Sequence, residues 1–152
     1  MIKILFVCHG NICRSPMAEF IMKDIVRRNG CGEDFYIASA ATSTEEIGNP
    51  VYPPAKAELA KHGLKCAGKT AVQIRSDDYD KYDLIIVMDE NNIRNILRII
   101  KNDPENKIHK LSDYSDNISD VSDPWYTRRF DIAYNDISEG CTALFDSLKK
   151  TM

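Results

Sequence analysis

Two kinds of apolar pattern alternate along this chain. Residues Ile2-Lys3-Ile4-Leu5-Phe6-Val7-Cys8 form a short, nearly continuous apolar run, the pattern of a parallel strand covered on both faces. His9-Gly10-Asn11 breaks it. Ala18, Ile21, Met22, Ile25 and Val26 then recur at i, i+3, i+4, i+7 and i+8, one face of a helix. Ser15 is a natural N-cap for that helix, Pro16 suits its first turn, and Gly30 suits the residue just past its end. Phe35 to Ala38 predicts a second strand, and Pro53-Pro54 opens a helix that closes near Gly63. Asp83 to Met88 predicts a third strand, followed by a helical face of Ile93, Ile96, Leu97 and Ile100. Lys107 to Leu111 reads as a fourth, edge strand. The last helix carries Phe130, Ala133, Tyr134, Ile137, Cys141, Leu144, Phe145 and Leu148 on one face. Before it, the Asp- and Ser-rich loop Ser112 to Thr127 is long enough to suspect a function. Strands alternating with helices imply a parallel sheet with helices on both faces. Ligands in such folds bind at the carboxyl ends of the strands, where Cys8 and Asp89 both fall.

Composition narrows the class without changing that picture. A chain of 152 residues suits one domain and can bury a core without disulfide or metal staples. Hydrophobic residues at 43% and charged residues at 28% exclude a disordered tail. The net charge of −3 offers no basic excess to a nucleic acid, and no apolar stretch approaches a membrane span. Five cysteines, odd in number and scattered, with no signal peptide to be read, suggest a reducing, cytoplasmic setting.

The chemistry concentrates in Cys8-His9-Gly10-Asn11-Ile12-Cys13-Arg14-Ser15, where a Cys and an Arg bracket five residues between strand and helix. Loop amides and the first free amides of the helix can converge on one anion, assisted by the helix dipole. Gly10 and Asn11 are the two residues that tolerate left-handed turns. The same field favours a thiolate at Cys8, a nucleophile at neutral pH. Arg14 adds a planar fork for two oxygens of a phosphoryl group, and the Ser15 hydroxyl can donate to the sulfur as it departs. Cys-x5-Arg-[Ser/Thr] alone arises in roughly one chain per hundred of this size from ordinary residue frequencies. Its placement between a buried strand and a capped helix is what makes it informative. The competing readings are a strand-end cysteine beside an exposed arginine and a metal site at Cys8, His9 and Cys13. No second ligand pair supports the metal, and the Gly-x-Gly-x-x-Gly of a dinucleotide site is absent.

The loop Val7 to Pro16 resembles the signature of the low-molecular-weight protein tyrosine phosphatases. Ser39-Ala40-Ala41-Thr42-Ser43-Thr44 with Gly48-Asn49-Pro50, Met88-Asp89-Glu90-Asn91, and Asp123-Pro124-Trp125-Tyr126 agree with the same family, in register from about residue 2 to residue 148. The resemblance implies a single doubly wound α/β domain over residues 1–152, with a four-stranded parallel sheet in the order 2-1-3-4. It implies hydrolysis of phosphotyrosine in proteins without metal or cofactor, with phosphate bound by residues His9, Gly10, Asn11, Ile12, Cys13, Arg14 and Ser15. Cys8 would be the nucleophile and Arg14 the clamp. Asp123 of the Asp-Pro pair would be the general acid and base, ahead of Asp113, Asp116 and Asp120 in the same loop. Trp125 and Tyr126 resemble an aromatic rim, although either could instead pack the loop against the last helix. Asn11 and Ser39 resemble a hydrogen-bonded pair that, with Ser15, supports the loop. Cys13 resembles a neighbour that traps oxidised Cys8 as a reversible disulfide, or merely packs. Cys31, Cys66 and Cys141 read as structural, and His62 and His109 carry no signal. The partners implied are a tyrosine-phosphorylated protein and a cognate tyrosine kinase, for a monomer or weak dimer.

Two departures stand out. Glu45 occupies a rim position where many members have an aromatic residue, and a negative wall should disfavour very acidic phosphopeptides. Near Gly68-Lys69-Thr70-Ala71 the family often has a histidine that bonds the loop asparagine; none occurs here, which leaves open how Asn11 is held. Three rivals remain. A thioredoxin-coupled arsenate reductase would need relay cysteines, and none lies between Lys69 and Tyr134. A phosphoarginine phosphatase typically has Thr where this chain has Ile12. A non-catalytic phosphate-binding module would need neither thiolate nor proton donor.

Overall fold

In a computed structural model, which describes residues 1–151, the apolar run at the amino terminus becomes the central strand β1 (Ile2–Cys8). Met152, the last residue of the expected domain, lies outside the described residues. Side chains alternate across β1, as strand geometry requires. Ile4, Phe6 and Cys8 enter one core with α1 (Arg14–Arg28), and Leu5 and Val7 enter another on the opposite face. Next come β2 (Phe35–Ala41), α2 (Pro53–Lys61), α3 (Asp78–Lys81) and β3 (Leu84–Val87). The chain continues through α4 (Glu90–Ile100), β4 (Ile108–Lys110), α5 (Pro124–Thr127) and α6 (Phe130–Lys149). All strand pairs are parallel, in the order β2-β1-β3-β4, as expected. Helices α1, α2 and α6 cover one face, and α3 and α4 the other. Among the described residues no helix is long and apolar enough to cross a membrane.

Local chemistry departs from the sequence reading at three places. Helix α1 starts one residue before Ser15, with Cys13 at the N-cap and no side-chain cap bond, so Ser15 is not the cap. Its hydroxyl is instead drawn to the Cys8 sulfur and Asn11, described below, because a buried hydroxyl goes to the strongest partner within reach. Strand β2 runs three residues beyond Ala38, since Ser39–Ala41 pair with Phe6–Cys8 of β1, and its end also meets the segment 71–74 through Ala41 N–H to Val72 O at 2.7 Å and Ile74 N–H to Ala41 O at 2.8 Å. The polar loop Ser112 to Thr127 is entered by a 3-10 turn (Leu111–Tyr114) and contains α5, both too short to show apolar periodicity. Gly30 (φ +72°) ends α1 in the left-handed conformation expected of it.

Candidate active site

The loop after β1 is built from the backbone outward. Thr42 N–H donates to Cys8 O at 3.0 Å, Ser43 N–H to His9 O at 3.1 Å, and Tyr52 N–H to Ile12 O at 2.9 Å, tying the loop to the end of β2 and the start of α2. Asn11 turns the chain with φ +59° and is only 1% exposed. The Val72 N–H donates to its Oδ1 at 3.2 Å, so its Nδ2 faces the Ser15 hydroxyl, to which it donates at 2.7 Å. Ser15 Oγ accepts from Asn11, which leaves the hydroxyl proton free for the Cys8 sulfur 3.0 Å away. The Ser15 amide, in the first turn of α1, donates to the same sulfur at 3.4 Å.

These contacts settle two of the expectations. The loop asparagine is held by a backbone amide, Val72 N–H, where the missing histidine would have been needed. Asn11 and Ser39 do not form a pair: the Ser39 hydroxyl donates to Glu19 Oε1 at 2.6 Å. Ser39 lies on β2 opposite Phe6, below the loop, and the buried Glu19 carboxylate is the stronger acceptor there.

Arg14 is 2% exposed, and its fork is fixed on both sides. Its Nη1 donates to Asp89 Oδ2 at 2.6 Å and to Val121 O at 2.9 Å, and Nη2 stands 3.6 Å from Asp123 Oδ2. Burial opposes its charge, but the Cys8 sulfur and then the Asp89 and Asp123 carboxylates outweigh that, so its pKa lies above the ordinary arginine value. Asp89 also caps α4, its Oδ1 accepting from Asn92 N–H at 2.8 Å. Its place at the end of β3 signalled a site, but nothing in the sequence identified Arg14 as its partner.

The same loop carries Asp123. Val121 is buried, and its N–H donates to Met88 O at 3.0 Å, pinning the loop to the end of β3 two residues ahead of Asp123. Asp123 caps α5 through Oδ1, which accepts from Trp125 N–H at 3.0 Å, and this turns Oδ2 toward Arg14. The other acidic residues have different surroundings. Asp120 accepts from Glu90 N–H and Lys110 Nζ, Asp113 accepts from Lys110 N–H, and Asp116 is exposed.

Together these groups line a cleft of about 200 Å³ walled by Cys8, His9, Gly10, Ile12, Cys13, Arg14, Glu45, Glu46, Asp123, Trp125 and Tyr126. Asn11 and Ser15 are buried behind it. Glu46, which the sequence reading missed, packs its stem over Gly10 and accepts from Asn49 Nδ2 at 2.6 Å. Glu45 reaches His9 Nε2 at 3.0 Å. Trp125 is 43% exposed at the mouth, and its ring meets Tyr52, the residue ahead of α2 and not part of the last helix, with centroids 4.8 Å apart. Tyr126, 81% exposed, is free at the rim. Cys13 is buried with a free thiol, which desolvation, the neighbouring Cys8 sulfur and Asp123 push up to about 12, so it stays protonated at neutral pH. Among the described residues no group of three or more His, Cys, Asp or Glu side chains is placed to share a metal ion. A sulfur at a helix amino terminus, a fixed guanidinium and a carboxylate within one cleft suit nucleophilic transfer of an anionic group.

Comparison with known proteins agrees with this geometry. Residues 3–152 match the family model of low molecular weight phosphotyrosine protein phosphatase. The chain is 37% identical over 152 residues to low molecular weight protein-tyrosine-phosphatase YfkJ of Bacillus subtilis, covering 99% of this chain and 97% of that protein. It is 35% identical to low molecular weight phosphotyrosine protein phosphatase 1 of Drosophila melanogaster, with 93% of each chain covered. The crystal structure of YfkJ superposes with a TM-score of 0.95, covering 99% and 96% of the two chains. The Entamoeba histolytica protein tyrosine phosphatase with Hepes in its active site superposes at 0.92, with 28% identity and 99% of each chain covered.

Proposed function

The chain belongs to the low molecular weight phosphotyrosine protein phosphatase family and is a phosphatase, and on that premise we propose that it removes phosphate from protein tyrosines through a covalent intermediate on Cys8. Cys8 Sγ attacks phosphorus in line with the phenolic oxygen, forming the S–P bond as the O–P bond breaks. Arg14 and the loop amides bind the three non-bridging oxygens, whose charge must be held as the transfer proceeds. The leaving phenolate has a conjugate acid of pKa about 10, so a proton from Asp123 lowers the barrier. The Asp123 carboxylate then takes a proton from water as that water attacks the phosphocysteine. Sulfur departs as a thiolate, stabilised by the Ser15 hydroxyl and amide.

The observation that carries this reading is the meeting of Cys8, Arg14 and Asp123 in one cleft, with Asp123 Oδ2 3.6 Å from Arg14 Nη2. A module that only bound phosphate would gain nothing from a carboxylate directed at its anion site, since like charges repel. The same reading takes tyrosine-phosphorylated proteins as substrates and a cognate tyrosine kinase as their source, in the cytoplasm.

The test is phosphate release from one peptide carrying either phosphotyrosine or phosphoarginine, with chelator and reductant present. Wild type should release phosphate from the tyrosine form, and Cys8→Ser should not. Release mainly from the arginine form would keep the mechanism and overturn the substrate. Release from neither would leave a binding module.

A further inference from the structure

Beside the phosphate loop, on its β2 side, lies a charged cluster that the reaction above does not use. Glu19 sits on the buried face of α1 and is 5% exposed. Its Oε1 accepts from Ser39 Oγ at 2.6 Å and stands 3.9 Å from Lys69 Nζ, and its Oε2 accepts from Lys23 Nζ at 2.6 Å. Lys23 reaches this carboxylate from a half-exposed position, whereas the Lys69 side chain is enclosed. Lys69 Nζ also donates to the backbone oxygen of Ser39 at 2.9 Å. A tight turn delivers it: Gly68 takes φ +86°, and Lys69 N–H reaches Cys66 O at 3.3 Å. The strand that receives it, β2, runs beside β1, with Ser39 opposite Phe6 and Ala41 opposite Cys8.

A buried ion pair of this kind adds little net stability, because desolvation offsets most of the attraction. Its position suggests another use. The charges that act on Lys69 are Glu19 and Lys23 from α1 and, across the β1–β2 pairing, Cys8. Burial and Lys23 weaken the ammonium, while Glu19 and an anionic Cys8 strengthen it. The Cys8 sulfur shares its cleft with Arg14, Asp123, Cys13, His9, Glu45 and Glu46, with Asp89 bonded to Arg14.

We propose that Lys69 is a positioning residue for Cys8: fixed by the Ser39 carbonyl and tempered by Glu19, it keeps a second, largely enclosed positive charge beside the strand that carries the sulfur and holds it as a thiolate. The inference rests on the reading of Cys8 as the nucleophile. It assigns Lys69 a task in the segment where the family's histidine is missing.

The test is the pH dependence of Cys8 alkylation by iodoacetamide, followed on the Cys8 peptide by mass spectrometry in the full-length protein. Removing the cation, Lys69→Met, should move the midpoint upward and slow alkylation at pH 6 by up to about tenfold, the effect of one pH unit. Removing the counter-charge, Glu19→Gln, should move the midpoint downward. Lys69→Arg should keep it near wild type. A purely structural brace would shift both neutral variants the same way or leave both unchanged, and either result overturns the proposal. Should Lys69→Met fail to fold, by circular dichroism, the isosteric Glu19→Gln decides alone: a downward shift supports the proposal, and no shift or an upward one overturns it. Phosphotyrosine hydrolysis, assayed on the same samples, tests the phosphatase reading separately, because alkylation reports the thiolate whether or not a phosphoester is cleaved.

Discussion

Asn11 combines two tasks in the loop after β1. It takes a left-handed φ of +59°, and its side chain accepts from Val72 N–H while donating to Ser15. Glycine would meet the first demand at no steric cost but not the second. Asn11→Gly should therefore keep the turn yet remove the bond to the part-buried Val72 amide, at a net cost of about 0.5–1.5 kcal/mol. It should also free the Ser15 hydroxyl to rotate away from Cys8, so turnover should fall at least tenfold. A variant with unchanged melting temperature and turnover would show that neither bond matters. Glu45 belongs to the same scale. With Glu46 it gives the cleft a negative wall on the side facing the exposed His9, across from Arg14. Glu45→Tyr should raise turnover of an acidic phosphopeptide relative to a neutral one, as like-charge repulsion falls. An unchanged ratio would sink the idea.

Among the elements, α6 shows best how packing overrides local preference. Gly140 sits mid-helix, where alanine would be favoured by about 1 kcal/mol. Yet a Cβ there would come within 2.4 Å of Leu111 Cγ and 3.1 Å of Ile118 Cδ1. Leu111 is fully buried and has no room to retreat, so overpacking at about 1–3 kcal/mol exceeds the helical gain. Gly140→Ala should lower stability by about 1 kcal/mol in chemical denaturation; a rise would mean that Leu111 repacks freely. The 3-10 turn holding Leu111 leads into the loop that carries Asp123, so this contact also helps anchor that loop. That loop resisted sequence reading because its order comes from single bonds, such as Val121 to Met88, and not from periodicity.

At the scale of the whole molecule, burial sets the response to pH. The Cys13 thiol is pushed from 9.0 up to about 12 by desolvation, and the Tyr114 phenol from 10.0 up to about 12 by desolvation and Asp113. Each is an acid that ionises more readily unfolded than folded. The unfolded chain therefore binds fewer protons above about pH 9, and stability must fall as pH rises from there toward 12, by up to about 1.4 kcal/mol per pH unit for each titrating group. Melting temperatures from pH 8 to 11 should show this, and Tyr114→Phe should make the decline shallower. A flat profile would contradict it. The parallel sheet, the helix faces and the string from Cys8 to Ser15 were legible in the chain, because each rests on periodicity or on neighbours a few residues apart, whereas the strand order came only with the family resemblance. Asp123 was legible through its Asp-Pro pair only with the family resemblance, since three other acids share its loop. The partners were not legible. That Asp89 holds Arg14, that Val72 and not Ser39 holds Asn11, that Ser15 serves the sulfur rather than the helix end, and that Glu19 and Lys69 face each other were decided by tertiary structure alone. Hydrogen bonds and ion pairs between residues as far apart as 14 and 89 depend on ångström distances that exist only once strands and helices have packed, whereas periodicity is a property of the unfolded string.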